Sequence, residues 1–340
     1  MCWTRSSSEE VGSLAETVIK VKNLVLEFDT DYAWKNRLLN GVSFEIREGE
    51  TLGIVGESGC GKSMTALSIM RLLDTPPAHL SGSIEFEGQD LLTLNKKEMQ
   101  SIRGNRISMI FQEPMTSLNP VYTIGNQLEE VLTLHQGLSQ KQARAAAVEL
   151  LRSVGVALPE KRIRDYPYQM SGGMRQRVMI AMALACRPRL LIADEPTTAL
   201  DVTIQAQVLD LMRELKAETG TAIAFITHDL GVVYEMCDRV VVLYCGEVME
   251  EAPMERLFAE PLHPYTLGLL ASLPRVGHRG EKLHIIPGAV PPAGEYPKGC
   301  VFAPRCEFAT PRCHAEKPAP VRAENGKRTV RCFRCGSQGE

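Results

Sequence analysis

Residues 51–63 read Thr51-Leu52-Gly53-Ile54-Val55-Gly56-Glu57-Ser58-Gly59-Cys60-Gly61-Lys62-Ser63. The first five residues form a largely apolar run that predicts a buried β-strand, and a helical pattern follows the last. Between them stands a glycine, four residues and Gly-Lys-Ser, the pattern of a phosphate-binding loop. In such a loop the backbone N–H groups face phosphates, Lys62 supplies positive charge, and Ser63 binds magnesium. The predicted nucleotide-binding residues here are Gly56, Glu57, Ser58, Gly59, Cys60, Gly61, Lys62, Ser63 and Met64.

The composition excludes several classes of protein. The chain has 340 residues, of which 44% are hydrophobic and 23% are charged, so it can build one large or two modest folded domains. Its 38 Lys and Arg against 41 Asp and Glu give a net charge of −3, which offers no general surface for nucleic acid. No run approaches the roughly 18 apolar residues that cross a bilayer. Residues 1–16 lack the features of a secretion signal, so we expect a cytosolic protein with reduced cysteines.

The character of the sequence changes along the chain. From residue 18 to about 250, short β-branched runs alternate with helical patterns, which indicates an α/β protein with a parallel sheet. We predict a flexible N-terminus over residues 1–17, a main domain over 18–255 with a helical subdomain at about 95–175, and a C-terminal region over 256–340. Prolines are frequent after Pro253, so we expect little regular structure there.

A second candidate site lies in Leu190-Leu191-Ile192-Ala193-Asp194-Glu195, an apolar strand that ends in two carboxylates. We predict that Asp194 holds magnesium and that Glu195 is the general base that orients and activates the attacking water. The alternative is a strand that ends in a solvated acidic turn. The phosphate-binding loop upstream favours the catalytic interpretation.

Between these two motifs stands Ser171-Gly172-Gly173-Met174-Arg175-Gln176-Arg177, and here the sequence closely resembles the ATP-binding cassette ATPases. Other motifs of that family match in order at Gln112, at Ala199-Leu200-Asp201 and at His228. The resemblance implies a P-loop NTPase with a RecA-like core, an antiparallel β subdomain and a helical subdomain. Met174 departs from the glutamine usual at that position, while Ser171 and the glycines are intact.

The family resemblance assigns a role to each matching residue. Gln112 senses magnesium and the attacking water, and His228 contacts the γ-phosphate, so the implied catalytic set is Lys62, Gln112, Glu195 and His228. The residues implied to bind magnesium are Ser63, Gln112 and Asp194. Ser171, Gly172 and Gly173 bind ATP held by an opposite subunit, and Asp201 lies at that interface. Phe28 is the expected aromatic residue against adenine, with Tyr32, Trp34 and a plain core role for Phe28 as alternatives.

Finer matches narrow the resemblance to the dipeptide and oligopeptide permeases. They cover residues 111–120 and 193–207, and also His263-Pro264-Tyr265-Thr266 and residues 286–291 in the C-terminal region. The chain is similar to the D-type ATPase subunit. This similarity implies an F-type ATPase partner, two transmembrane permease subunits, and an extracytoplasmic peptide-binding protein that acts indirectly. It also implies a peripheral position on the cytoplasmic face of a bacterial or archaeal membrane, with no nucleic acid as partner.

Cys300, Cys306, Cys313 and Cys332 follow the spacing C-x5-C-x6-C-x18-C in the C-terminal region. Four thiolates in one short segment can build a metal site that replaces a core. Zinc prefers paired C-x2-C spacings, which occur here only at Cys332 and Cys335. Relatives in the permease family carry a [4Fe–4S] cluster in this region, so we expect that cluster, with zinc or unligated thiols as alternatives. Cys335 is an alternative to Cys332 as the fourth ligand.

Other functions compete with the motor of a peptide importer. A soluble cassette ATPase that acts on nucleic acid or ribosomes usually carries two cassettes or a long coiled coil, and this sequence shows neither. An importer of a non-peptide solute is a second alternative, because the sequence does not identify the solute. An electron-transfer or metal-sensing protein would leave the ATPase motifs unexplained.

Overall fold

The computed structural model describes residues 16–29, 35–112, 117–198, 202–273 and 284–336. The described strands are β1 (Thr17–Asp29), β2 (Lys35–Arg47), β3 (Thr51–Val55), β4 (Ala78–Phe86), β5 (Gln89–Asp90), β6 (Ile107–Ile110), β7 (Leu190–Asp194), β8 (Ala222–Ile226), β9 (Arg239–Tyr244), β10 (Glu247–Pro253), β11 (Val321–Ala323) and β12 (Arg328–Val330). The described helices are α1 (Lys62–Met70), α2 (Lys96–Ile102), α3 (Ile124–Gln136), α4 (Gln140–Ser153), α5 (Pro159–Arg162), α6 (Gly172–Leu184), α7 (Val202–Thr219), α8 (Leu230–Met236), α9 (Met254–Ala259), α10 (Pro264–Ala271), α11 (Pro311–Ala315) and α12 (Phe333–Gly336).

The strands form two sheets. The smaller sheet is antiparallel and has the order β2-β1-β4-β5. The larger sheet has the order β11-β12-β10-β9-β3-β8-β7-β6, and its strands from β9 to β6 run parallel. Every residue of β3, β6, β7 and β8 is buried, as expected for parallel strands covered on both faces. The carboxyl ends of these strands therefore share one edge of the sheet, which is where ligands bind in such folds.

The predicted strands at residues 51–55 and 190–193 are confirmed as β3 and β7. Within the predicted helical subdomain, α4 begins after Ser139, which forms a capping box with Gln142. The range predicted as helical, about 95–175, also contains β6, which is part of the core sheet. The helices α3, α4 and α5 follow that strand, and buried side chains of α3 and α4 pack in one cluster with α6.

The C-terminal region is more regular than its proline content indicates, so the prediction of little regular structure is wrong in part: residues 284–302 contain no helix or strand, but regular elements occur within residues 254–271 and 303–336. Strand β12 pairs antiparallel with β10, and β11 pairs with β12, so this region extends the core sheet. The physical reason is that β10 would otherwise present unpaired backbone N–H and C=O groups at the sheet edge. Two of the prolines stand in first turns of helices, Pro264 in α10 and Pro311 in α11, where a missing N–H costs nothing.

A buried ion pair fastens this added strand to the domain. Arg328 in β12 and Glu250 in β10 are both fully buried, and Arg328 Nη2 lies 2.8 Å from Glu250 Oε1. Glu250 also accepts hydrogen bonds from the backbone N–H groups of Leu262 and His263. Arg328 in turn donates to Glu324 and to the carbonyl of Glu260. One carboxylate therefore joins β10, β12 and the chain that leads into α10.

His263 is a buried histidine that begins α10. Its Nδ1 accepts a hydrogen bond of 3.0 Å from the backbone N–H of Tyr265, which is a cap of the helix. Burial lowers the pKa of His263 to about 3, against a smaller opposing effect of the Arg331 backbone. The ring is therefore neutral in the folded protein, as an acceptor at Nδ1 requires.

Removal of one partner from the ion pair should destabilise the protein strongly. We expect Arg328→Ala to lower the free energy of unfolding by about 3–5 kcal/mol, because Glu250 would be left buried and unpaired. Arg322→Ala, at an exposed position of β11, is the control and should change it by less than about 0.5 kcal/mol. Urea titration measures both. Equal stabilities for the two variants would contradict the role of the pair.

The buried histidine should make stability depend on pH. Below the ordinary pKa of about 6.5, the unfolded chain takes up a proton at His263 that the folded chain refuses down to about pH 3. Stability should therefore fall with decreasing pH across this window, by about 1.4 kcal/mol at pH 5.5. His263→Asn keeps a capping oxygen without titrating, so the difference between wild type and variant isolates this effect. A difference that is constant from pH 7.5 to 5.5 would contradict it.

Candidate functional site

The loop from Gly56 to Gly61 joins β3 to α1, and its backbone has positive φ angles that glycine adopts readily. Gly56, Gly59 and Gly61 have φ angles of 153°, 80° and 105°. A Cβ on Gly56 would stand 2.2 Å from the carbonyl oxygen of Leu243, and one on Gly61 would stand 2.7 Å from Leu39 Cδ2. Larger residues at these two positions would therefore force the loop away from the sheet.

Lys62 closes the loop from within. It begins α1, it is nearly buried, and its Nζ donates to the carbonyls of Gly56 at 2.7 Å and Glu57 at 3.0 Å. The ammonium group therefore lies inside the ring of the loop, at the N-terminal end of a nine-residue helix. A helix start with a lysine in a glycine-rich loop favours the binding of anions such as phosphate.

Ser63 and Asp194 meet at the carboxyl edge of the sheet. Ser63 Oγ donates to Asp194 Oδ1 at 3.1 Å, although the two residues are 131 positions apart in the chain. Burial raises the pKa of Asp194, and the hydrogen bond from Ser63 opposes that effect only partly. A hydroxyl and a carboxylate in contact are the oxygen ligands that Mg²⁺ prefers, and a cation would stabilise the buried charge. The two residues fit the magnesium site predicted for them.

Glu195 is the centre of a hydrogen-bonded group at the same edge. Its Oε2 accepts from Gln112 Nε2 at 3.1 Å and from Thr198 Oγ1 at 2.9 Å, and its Oε1 lies 3.2 Å from His228 Nδ1. Burial raises the pKa of Glu195, but the hydrogen bonds from Thr198 and His228 and nearby positive charge outweigh it, so the net shift is downward. The carboxylate is therefore ionised at neutral pH, as a group that accepts a proton must be.

The structure thus brings four predicted residues to one place. Gln112 follows β6, Asp194 and Glu195 end β7, and His228 follows β8, so three neighbouring parallel strands supply them. Thr198 is an addition that sequence reasoning missed. It stands three residues after Glu195, and no pattern in the sequence distinguishes its hydroxyl from that of any other threonine.

The signature Ser171-Gly172-Gly173 lies at the start of α6. Ser171 caps this helix, since its Oγ accepts from the backbone N–H of Met174 at 3.3 Å. Ser171 and Gly172 are exposed, and a Cβ on Gly172 would meet nothing within 4 Å. Farther along α6, the buried Gln176 donates to the carbonyl of Pro196. The signature helix is therefore attached to the turn after Glu195, while its N-terminus stays open to a ligand from outside.

Several predicted residues are not joined to this group. Phe28 is half-buried near the end of β1, opposite Asn36 and Ala78, and packs against one of the two core clusters. Its contact with adenine stays a prediction. Tyr32, Trp34 and Asp201 lie outside the described residues.

Four cysteines of the C-terminal region surround one cavity. Its wall includes Cys300, Cys306, Cys313 and Cys332, together with the rings of Phe302, Phe308 and Phe333. Cys335 is not part of that wall, and its thiol points to the carbonyl of Leu262. Across the described ranges, no group of three or more His, Cys, Asp or Glu side chains is placed to hold a metal ion. The structure therefore brings together the predicted ligands without showing a metal site.

Two residues of the C-terminal region reach the phosphate-binding loop, and sequence reasoning missed both contacts. Tyr265 Oη accepts a hydrogen bond of 2.8 Å from the backbone N–H of Glu57. Arg305 forms an ion pair of 2.5 Å with the carboxylate of the same residue. Tyr265 was visible as part of His263-Pro264-Tyr265-Thr266, but that motif carries no indication of its partner. Nothing in the sequence singles out Arg305.

Comparisons with known proteins agree with this geometry. The ABC transporter family matches residues 39–198, and the family described as the C-terminal region of oligopeptide/dipeptide transporters matches residues 249–313. The chain is 52% identical over 326 residues to the oligopeptide transport ATP-binding protein AppD of Bacillus subtilis, covering 95% of this chain and 98% of that protein. It is 51% identical over 331 residues to a putative peptide import ATP-binding protein of Brucella melitensis, covering 94% and 97%.

A solved structure shows the same fold over the main domain. It is the dimeric ATP-binding cassette MJ0796 in a post-hydrolysis state bound to ADP and Pi, with a TM-score of 0.62 and 31% identity. The match covers 69% of this chain and 98% of that chain. The family resemblance predicted from the motifs is thereby confirmed: the chain belongs to the ATP-binding cassette transporter family and carries the C-terminal region of its oligopeptide and dipeptide branch.

Proposed function

We propose that the chain is the ATP-hydrolysing motor subunit of an importer for dipeptides or oligopeptides. The observation that carries the proposal is the convergence of Lys62, Ser63, Asp194 and Glu195 at one edge of the core sheet. The names of the relatives, an oligopeptide transport and a peptide import ATP-binding protein, support peptides as the solute.

The residues divide the work of hydrolysis. The loop N–H groups and Lys62 bind the phosphates of ATP, and Ser63, Asp194 and Gln112 hold magnesium. When bound, magnesium neutralises charge on the phosphate oxygens. Glu195 orients a water molecule for attack and accepts its proton, because its carboxylate is ionised and fixed by Thr198. His228, hydrogen-bonded to Glu195 and largely exposed, reaches toward the γ-phosphate.

The site is completed by a second ATPase subunit. Ser171, Gly172 and Gly173 present an open helix N-terminus, a favourable position for the γ-phosphate of ATP held by a partner. Asp201 belongs to the same interface. The partner is an F-type ATPase subunit in a heterodimer. Phe28, near the end of β1, stacks against adenine.

Two transmembrane permease subunits dock beside the Gln112 loop. A groove of about 180 Å³ lies there, and its wall is formed by Met70, Gly104, Ser108, Met109, Phe111, Ser117, Leu118, Val131, Met179, Met182 and Ala183. Val121 and Tyr122, just before α3, are exposed, with 71% and 56% of their surfaces accessible. No helix in the described part of the chain is long and apolar enough to cross a membrane. The chain sits peripherally on the cytoplasmic face of the membrane, and an extracytoplasmic binding protein delivers the peptide.

In the cysteine cavity, Cys300, Cys306, Cys313 and Cys332 would hold a [4Fe–4S] cluster. Four thiols on one wall are the donor set that such a cluster takes, and the rings of Phe302, Phe308 and Phe333 form part of the same wall. Cys332, not Cys335, is the fourth ligand, because only Cys332 lines the cavity. Zinc is the alternative occupant that the experiment below distinguishes.

Loss of the carboxylate at residue 195 should stop hydrolysis without preventing binding. We expect Glu195→Gln to lower kcat by about 10²- to 10³-fold, because the proton acceptor is lost. Binding of Mg-ATP, measured by calorimetry, should persist. Glu214→Gln, an exposed position of α7, is the matched control and should keep the wild-type rate. A Glu195→Gln variant that hydrolyses ATP at the wild-type rate would overturn the assignment.

Metal analysis after anaerobic purification tests the cluster. We expect about four irons and four sulfides per chain. Cys306→Ser should lose them, whereas Cys335→Ser should retain them, because Cys335 is outside the cavity wall. One zinc per chain without iron would replace the cluster by a structural zinc site, and a metal-free wild type would refute both.

A further inference from the structure

Glu57 occupies a position that the phosphate-loop pattern leaves free, yet it is held more firmly than a variable residue needs to be. Its backbone N–H donates to Tyr265 Oη at 2.8 Å. Its two carboxylate oxygens accept from the two terminal nitrogens of Arg305, at 2.5 and 3.1 Å. Both partners belong to the C-terminal region, more than 200 residues away in the chain.

Arg305 is itself fixed. Its side chain is 5% exposed, its Nε donates to the carbonyl of Pro287 at 2.8 Å, and one terminal nitrogen also reaches Tyr244 Oη at 3.2 Å. The hydrogen bonds from Arg305 to Glu57 raise the pKa of the guanidinium above its usual range, so its charge is permanent. A two-pronged contact between guanidinium and carboxylate fixes orientation as well as distance.

Tyr265 approaches the loop from the first turn of α10 and is fully buried. Its ring packs between Tyr244 and Phe302, at centroid distances of 4.7 and 5.2 Å. Burial raises the pKa of its hydroxyl far above neutrality, so the group stays protonated. Because the ring is buried and packed on two sides, its hydroxyl oxygen has a fixed position from which it accepts the hydrogen bond of the Glu57 N–H.

The same glutamate also holds the catalytic lysine. The Glu57 carbonyl accepts from Lys62 Nζ at 3.0 Å and from the Cys60 N–H at 3.3 Å. A shift of Glu57 would move both acceptor and lysine. A continuous chain of contacts thus runs from Arg305 and Tyr265 through Glu57 to the ammonium that meets the phosphates.

We propose that Tyr265 and Arg305 are positioning residues for the phosphate-binding loop: they brace Glu57 and thereby keep the loop and Lys62 in the shape that binds ATP. This proposal rests on the proposed ATPase function and deepens it. It gives the C-terminal region a direct part in nucleotide binding. Arg305 lies in the turn between Cys300 and Cys306, so the folding of the cysteine segment sets its position.

The contacts of Tyr265 and Arg305 with Glu57 increase the fraction of molecules whose phosphate-binding loop is in the conformation that binds ATP. The apparent Kd for ATP equals the intrinsic value divided by that fraction, so a loop that leaves the binding shape weakens affinity without changing the chemical step. Loss of one hydrogen bond is expected to weaken binding about fivefold, and loss of the ion pair about tenfold or more. KM should rise accordingly while kcat stays near its wild-type value.

The test measures ATP binding by calorimetry to the full chain in a Glu195→Gln background, and KM and kcat in the otherwise wild-type chain assembled with the second ATPase subunit that completes its site. Tyr265→Phe removes only the hydroxyl, and Arg305→Met removes the ion pair. Tyr296→Phe, a half-buried tyrosine of the same region, is the control. We expect Kd and KM to rise about fivefold and tenfold in the two variants, to recover partly in Arg305→Lys, and to stay unchanged in the control.

Hydrogen exchange at the Glu57 amide, measured without ATP, tests the brace apart from the ATPase function. This amide should be protected in the parent chain and in Tyr296→Phe, and should exchange at least about tenfold faster in Tyr265→Phe, since its acceptor is gone. Unchanged exchange, or unchanged Kd and KM in a folded Tyr265→Phe protein, would overturn the brace. A parent chain that shows the exchange effect but binds no ATP would instead refute the proposed function.

Discussion

The hydrogen bond between Ser63, at the start of α1, and Asp194, the last residue of β7, joins two parts of the core sheet, and the nucleotide site depends on this short distance between them. Strand β3 leads into the phosphate-binding loop, and β7 ends in the two carboxylates, with β8 between them in the sheet. Because all three strands run in the same direction, their functional residues reach one edge. Glu195 can then form hydrogen bonds with Gln112 and His228, which lie in the loops that follow β6 and β8.

The parts of this arrangement that depend on local sequence were predictable. A buried strand followed by a glycine-rich loop and a lysine can be recognised from about a dozen consecutive residues. The strand that leads to Asp194 and Glu195 can likewise be recognised from a short stretch of sequence. Thr198 was not predictable, because its role depends on the turn geometry after Glu195. The resemblance to a known family, rather than spacing alone, identified Gln112, Ser171 and His228.

Contacts between distant parts of the chain escaped sequence reasoning. The proline-rich C-terminal region was predicted to have little regular structure, but β12 pairs with β10 of the core sheet, and Arg328 forms a buried ion pair with Glu250. A charge pattern in sequence does not say which arginine becomes buried, because burial depends on the partner that compensates its charge. The same holds for Arg305 and Glu57. The C-terminal region is therefore an integral part of the ATPase domain in the physical sense that its residues complete the sheet and touch the loop.

Reconstitution of the chain with the proposed F-type ATPase subunit and two permease subunits in proteoliposomes is the most direct test. The measurement is uptake of a labelled peptide, delivered by its binding protein, with ATP supplied on the side that carries this chain. We expect uptake that requires hydrolysable ATP and a rate of hydrolysis that rises when the binding protein carries peptide. Uptake without ATP, or hydrolysis that responds to a different solute and not to peptide, would contradict the proposed function.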